Sequence, residues 1–510
     1  MTPGPAPGGI MLISTAYPSS DDPYRNAFLH TRVAGYRSRG TDVQVCVVDP
    51  SAEVSSRHQH DGVDVLTGPP EAVAELIEDR DPRTVLIHFV SPGWFARIRP
   101  ALAGRRVLIW LHGFEAEAWY RRWFNVVDDA SALRSLVARR TRAFAARRAF
   151  FQELSADDGL DVAFVTVSHY FRSHVVAVDA GVPLNLCAVI PNPIDSELYT
   201  AGAKPPEHRT RVLTIRPFTS AAYGNDLMVE AVHDVATGEG GSRFRFTIIG
   251  DGPLFEDTLA PLQGLENVDI RRGFLDPRQI ADEHRKHGVF LAPGRIDSQG
   301  VSRCEAMSSG LVPMANAVAA VPEFVEHGSS GWLAPPEDWR GLARGLRAVA
   351  DDPELFARMS MAASERVRSQ CAARDTIPAE LGLLLSPAGA REAVAELAAG
   401  EAPAAPDVDP AADIEAEFAR ALSAIAARDV ERERRIRHLG HRLEKSQDRI
   451  EAFQGSHGRA LERIAALEGQ LRRIQERALH TDAELQRLRG RPLNRATARL
   501  SRVLRLVRRR

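Results

Sequence analysis
The chain has 510 residues, room for about three units of ordinary domain size, and its 44% apolar content is that of a globular protein with large cores. A formal net charge of −2 excludes a chain that grips nucleic acid along its whole length. Cys46, Cys187, Cys304 and Cys371 are scattered without metal-ligand spacing and read as reduced, buried thiols of a cytoplasmic protein. No run of ~18 apolar residues is present to span a membrane, and residues 1–9 (MTPGPAPGG) lack the basic and apolar regions of a signal peptide.

In chain order, IMLIS (10–14) reads as a strand. The loop TAYPSSDDPYRNAF follows, then a helix over 29–40 that Gly40 stops. Apolar runs at 41–49, 62–68, 84–91 and 105–115 alternate with helical patterns, and strands alternating with helices predict a parallel, doubly wound sheet. The stretch 119–148 reads as helical, rich in aromatic and basic residues. VTVSHYF and LCAVIPNPID (186–195) close the first unit, and the polar, proline-containing 196–209 is the boundary. The alternation then repeats: strands at RVLTIRPF, FRFTIIGDGP, NVDIRRGFL and VFLAP, with helices between them. Two amphipathic helices follow over 341–370. The predicted domains are 10–195 and 205–385. An Ala/Pro-rich linker follows over 386–412, in which Asp407-x-Asp409 has no structural setting for metal binding.

From Ile436 to Leu488 the apolar residues keep one heptad register. The a positions run Ile436, Leu443, Ile450, and the d positions include Leu439, Phe453, Leu467 and Ile474, which predicts a coiled coil over 413–490 and a homo-oligomer. Residues 491–510 are arginine-rich and acid-free, with Leu493, Leu500, Val503 and Val507 at helical spacing. Such a basic amphipathic helix suits the surface of an anionic membrane, which would make the protein peripheral at the inner face.

Residues 292–323 organise the chain. VFLAP enters a polar loop, GRIDSQG. A helix over VSRCEAMSS follows, with its unpaired amides after Gly300, and then a second apolar run. DSQGVSRCEAMSSGLVP (297–313), extended by VPEFVEHGSSGWLAPPED, resembles the donor-site motif of retaining GT-B glycosyltransferases of family four. In that motif two acids stand eight positions apart, here Asp297 and Glu305. The resemblance implies an α/β fold of two doubly wound Rossmann-like domains facing a cleft, with a helix around Ala362 to Leu385 returning to the first domain, followed here by the α-helical coiled-coil extension. It implies transfer of a sugar from a nucleotide-sugar donor to a glycan or lipid-linked acceptor, with no cofactor and no metal.

The same resemblance distributes the roles. Glu305 holds the ribose, Asp297 the sugar hydroxyls, and the amides of Gly300, Val301 and Ser302 the diphosphate. Arg216 in IRPFTSAAYGNDL matches the family's arginine, but Tyr223 stands where a lysine is usual, and Asp297 replaces a glutamate. Arg295 can supply the missing cation by bidentate phosphate contact; otherwise it is a plain surface charge. His112 in LHGFE points at the donor sugar, Glu323 closes the donor pocket, and Tyr24 and Arg25 contact the acceptor. The two departures leave a second reading open, a coiled-coil scaffold carrying a catalytically degenerate glycosyltransferase domain.

Overall fold
The computed structural model describes residues 9–20, 22, 25–125, 133–200, 202, 204–399 and 475. The predicted coiled coil, apart from the helical Gln475, the basic tail and Tyr24 lie outside them. Both sheets below belong to one compact unit that uses the chain up to Arg121 and again from Arg142. Arg122–Thr141 belong to a second unit. Where the sequence predicts one helix over 119–148, a 3-10 stretch covers Trp119–Asn125 and an α-helix covers Leu133–Ala156.

The first sheet contains β1 (Ile10–Ser14), β2 (Val43–Val48), β3 (Ser56–His60), β4 (Val63–Gly68), β5 (Thr84–His88), β6 (Arg106–Leu111), β7 (Asp161–Thr166) and β8 (Cys187–Val189). Their order is β3-β4-β2-β1-β5-β6-β7-β8. All neighbours pair in parallel except β3 with β4. Every residue of β1, β5 and β6 is buried, which is why these strands read as unbroken apolar runs: helices cover both faces of a parallel sheet. β3 (SRHQH) has no such run. It is a polar edge strand, legible only through the Asp61-Gly62 turn that joins it to β4.

The second sheet contains β9 (Arg211–Ile215), β10 (Arg245–Gly250), β11 (Val268–Arg272), β12 (Val289–Leu291), β13 (Val312–Asn316) and β14 (Trp332–Ala334). Its order is β11-β10-β9-β12-β13-β14, all parallel. Strand order reverses between β1 and β5 in the first sheet and between β9 and β12 in the second. In open parallel sheets, ligands bind beyond the carboxyl ends of the strands at such points.

The chain crosses between the two lobes twice, and the crossings lie side by side. Ile194 N donates to Cys371 O at 2.7 Å, and Ala373 N donates to Ile194 O at 2.9 Å. The helix Pro353–Cys371 packs in the second lobe through Phe356, Met359 and Val367. The helix Ala373–Leu384 joins the core of the first lobe through Ile377, Leu381 and Leu384. The return thus begins at Ala372, inside the segment read as one returning helix.

The linker expected from 386 begins too early. Ala390–Ala399 is a helix whose Ala390, Ala393 and Val394 are buried in the first-lobe core. Asp161, which opens β7, accepts from the Ala390 and Arg391 amides at 2.6 and 3.2 Å. The alanines that look like linker composition are strong helix formers whose small side chains let the helix lie close on the sheet.

Candidate functional site
β12 feeds the loop that precedes the helix Val301–Ser308. Gly300 caps that helix at φ 82°, and a Cβ there would fall within 3 Å of the Arg303 guanidinium and the Asp297 carboxylate. A left-handed, crowded position of this kind accepts only glycine. No side chain caps the helix, so its first amides, those of Val301 and Ser302 among them, are left for an anion.

Asp297 is held rather than free. Its Oδ2 receives Arg303 Nη1 at 3.0 Å, and its Oδ1 receives the Gln299 amide at 3.2 Å. Arg303 is almost fully buried, and the sequence reading assigned it no role. Its position six residues after Asp297, on the first turn of the helix, is the signal that was available.

Arg216 leaves the end of β9. Its Nη2 donates to Pro293 O at 3.0 Å, its guanidinium lies 5.7 Å from the Tyr223 ring centroid, and its buried Nε has no partner. Burial lowers its pKa, and the nearby Asp297 works in the other direction. A buried guanidinium with an unspent N–H, close enough to Asp297 and Arg303 to feel their charges, suits an anion. Tyr223, at the position usual for lysine, stacks on this cation instead of adding a second one. Gly224, left-handed at φ 59°, lets that loop approach the Gly294 backbone.

Arg295 is not the replacement cation. Its Nε and Nη2 meet the Glu337 carboxylate at 2.7 and 2.9 Å. Its Nη1 and Nη2 meet Asp226 at 2.8 and 2.7 Å, and Nη1 also donates to Ala221 O at 2.7 Å. All five N–H groups are committed, and the side chain is buried. Two acids that had no role in the sequence reading decide this: Arg295 locks the loop holding Tyr223 onto the loop holding Asp297.

Glu305 sits on the second turn of the same helix and takes a hydrogen bond from the Tyr199 hydroxyl. Burial, aided by the charge of Asp195, pushes its pKa up to about 8; the Tyr199 bond acts against the shift. Glu323 is held across the lobes. Its carboxylate receives the His169 and Tyr170 amides at 2.9 and 2.5 Å, which pins the second lobe to the start of a first-lobe helix.

In the first lobe, β5 ends at His88, and His112 follows the last residue of the neighbouring β6. His88 Nδ1 and His112 Nε2 are 2.8 Å apart, with the rings stacked at 5.1 Å. His88 is fully buried and its Nε2 has no partner. An orphaned acceptor costs less than an orphaned N–H, so the favoured arrangement has His88 Nδ1–H donating to His112 and leaves the His112 proton on Nδ1. Burial holds both imidazoles well below their ordinary pKa, hence neutral. Glu115 folds back to accept the His112 and Gly113 amides, and burial pushes its pKa to about 7. Phe28 and Phe89 pack on the His112 ring. Arg25 is exposed near Asp49, beyond the carboxyl end of β2.

Residues 209–352 match the family described as glycosyl transferases group 1. Among curated proteins, the D-inositol 3-phosphate glycosyltransferase of Streptomyces avermitilis is 34% identical over 127 residues, covering 23% of this chain and 27% of its own. The putative colanic acid biosynthesis glycosyltransferase WcaL of Escherichia coli is 33% identical over 138 residues, covering 25% and 34%. The matches therefore span between a quarter and a third of the length of these relatives. Among solved structures, Anabaena HepE in complex with UDP and glucose superposes with a TM-score of 0.54 at 14% identity, covering 75% of this chain and all of that one. The fold is thus the two-domain α/β fold of GT-B glycosyltransferases.

Proposed function
We propose that this chain is a metal-independent retaining glycosyltransferase that moves a sugar from a nucleotide donor to a glycan or lipid-linked acceptor in surface polysaccharide assembly. One observation carries the reading: a buried guanidinium with a free N–H (Arg216), an uncapped helix start (Gly300 to Ser302) and two acids eight positions apart meet where the second sheet reverses its order. Glu305 accepts from the ribose hydroxyls. Arg216 and the helix amides take the charge that grows on the diphosphate as its bond to the anomeric carbon breaks. Asp297, oriented by Arg303, holds sugar hydroxyls. His112 presents its Nδ1–H to the donor sugar, and the wall near Arg25 receives the acceptor. The group 1 match over the second lobe supports the donor class, and the WcaL likeness supports the acceptor class. HepE was solved with UDP and glucose, which makes a UDP-sugar the first donor to try.

The coiled coil over 413–490 pairs two copies, and the tail over 491–510 holds them on an anionic membrane; the heptad register and the acid-free arginine run support this. Among the described residues, no helix is long and apolar enough to cross a membrane. A scaffold with a degenerate site is the second reading. It is favoured by the stacking of Tyr223 on Arg216 and by the full commitment of Arg295, which leave Arg216 without a second cation from either residue. Hydrolysis of UDP-sugars by the purified full chain separates the two. Turnover lowered about 100-fold by Arg216→Met supports the enzyme, and no turnover with any nucleotide sugar supports the scaffold.

A further inference from the structure
The β3–β4 hairpin turns through Asp61 and Gly62, both left-handed at φ 42° and 74°. This is the two-residue turn that Asp-Gly favours, and it places His60, paired with Val63, at the hairpin tip. The helix Ala27–Arg37 faces the tip with His30. The Nε2 atoms of His30 and His60 lie 3.6 and 3.9 Å from the same oxygen, Asp61 Oδ2, and all three ligand atoms fall within 4.8 Å of one another. We propose that His30, His60 and Asp61 form a binding site for a divalent ion of the zinc class, outside the donor site and independent of the proposed transfer reaction.

The spacing needs a modest closure. Tetrahedral zinc with bonds of about 2.0–2.1 Å sets its ligand atoms about 3.4 Å apart. The two distances to Asp61 exceed that by a few tenths of an ångström, a gap that Asp61, 77% exposed at a hairpin tip, can close; the two imidazole nitrogens, held within 4.8 Å of one another, come together by movement of the hairpin on the helix. The chemistry fits as well: two imidazoles and one carboxylate suit zinc, and the exposure of Asp61 leaves a fourth position to water.

Two contacts prepare the site. The Tyr17 hydroxyl lies 2.9 Å from His30 Nδ1. When Nε2 binds metal, Nδ1–H donates to that hydroxyl oxygen, the outer contact that orients metal-bound imidazoles. Arg37 Nη1 donates to Gly62 O at 2.8 Å and ties the turn to the helix that carries His30. The ion would fasten the edge hairpin to that helix. The helix also carries Phe28, which packs on His112, so the site stiffens the first-lobe wall beside the cleft.

The test is calorimetric titration of chelator-stripped full chain with Zn²⁺, beside His60→Ala and Asp61→Asn. Asparagine tolerates the left-handed turn position, so the second variant keeps the hairpin. The chain has 16 histidines, so the difference between proteins decides, not binding as such. The expected result is one site in the wild type that weakens at least tenfold in both variants, with a Zn²⁺-dependent rise in Tm that both variants lose. Equal Zn²⁺ binding by all three proteins, or none by the wild type at micromolar metal, overturns the proposal and leaves an ion-paired cluster only.

Discussion

Gln299 and Asn192 exchange two hydrogen bonds across the lobes: Asn192 N donates to Gln299 Oε1 at 2.6 Å, and Gln299 Nε2 donates to Asn192 O at 3.1 Å. One residue belongs to the loop that carries Asp297 and the other to the loop after β8 that leads into the first crossing. The connection continues inward, for Asn192 Oδ1 receives Arg32 Nη1 at 2.8 Å and Arg32 Nε donates to Glu380 at 2.9 Å. The Tyr36 hydroxyl completes the set on Glu380. Every member is buried, so a polar network runs from the donor loop to the returning helix, with Arg32 Nη2 left without a partner.

Gln299→Leu removes both bonds and leaves the Asn192 amide and carbonyl unmet. Leaving such buried groups unsatisfied costs about 1–3 kcal/mol. Chemical denaturation of the full chain should show a loss in that range, and an unchanged midpoint would show that the clamp contributes nothing.

The two arginines of the donor loops should part in their effects. Arg295→Met strands the mostly buried Glu337, at a cost of about 3 kcal/mol; the half-exposed Asp226 adds little. Arg216→Met removes the unspent N–H and should lower turnover about 100-fold, the scale for losing one preorganised charge-stabilising donor, while moving Tm far less. If Arg295→Met keeps full stability and loses only turnover, the structural assignment of Arg295 is wrong.

Much of this was legible in the sequence. The buried parallel strands announced themselves as apolar runs, and the order of donor-site elements followed from residues 292–323 alone. What escaped has a common cause. The partners of Arg295, the Asp297–Arg303 pair, His88 beside His112 and Gln299 on Asn192 are side-chain pairings. Only the turn of a helix or the register of neighbouring strands brings them together, and His88 lies 24 residues from His112. Exposed-looking arginines and glutamates in loops read as surface until their partners are known. The polar β3 and the alanine-rich helix Ala390–Ala399 escaped because composition in each argued for a different state.

Glu305 gives a pH prediction. Its folded pKa, about 8, lies above the usual glutamate value of 4.5. The unfolded chain therefore releases this proton first, and the group's contribution to stability falls as pH rises from about 4.5 to about 8. Binding runs the other way, because ribose hydroxyls donate best to the ionised carboxylate. Nucleotide affinity, followed by calorimetry, should rise with pH toward about 8 and then level. Glu305→Gln should flatten that profile and weaken binding at the plateau by about 1.5–3 kcal/mol. A flat wild-type profile with unchanged affinity in the variant removes Glu305 from the ribose.

Truncation tests the domain boundary. A chain ending at 385 loses the helix Ala390–Ala399 and bares the first-lobe surface under Ala390 and Val394. It also strips Asp161 of the two amides it accepts. A chain ending at 399 keeps both. The longer fragment should be soluble and melt in one sharp transition, and the shorter should melt lower or aggregate. Equal melting of the two would mean that the helix is an ornament and that the boundary at 385 was correct.

The C-terminal region carries the last prediction, argued from sequence. The heptad register from Ile436 to Leu488 runs directly into an arginine-rich segment without a single acid. If two copies pair in parallel, their tails emerge together. A single amphipathic helix binds a bilayer weakly, whereas two linked ones gain by effective concentration. Each arginine near an anionic surface contributes about 1 kcal/mol, and salt screens it over a Debye length of about 10 Å at 0.1 M. The full chain should therefore sediment with phosphatidylserine vesicles at low salt and leave them at high salt. Deleting 491–510 should abolish sedimentation without changing UDP-sugar hydrolysis, and light scattering should report a dimer in both proteins. A monomer by scattering breaks the avidity argument. Equal sedimentation with and without the tail shows that whatever holds the protein on lipid is elsewhere in the chain.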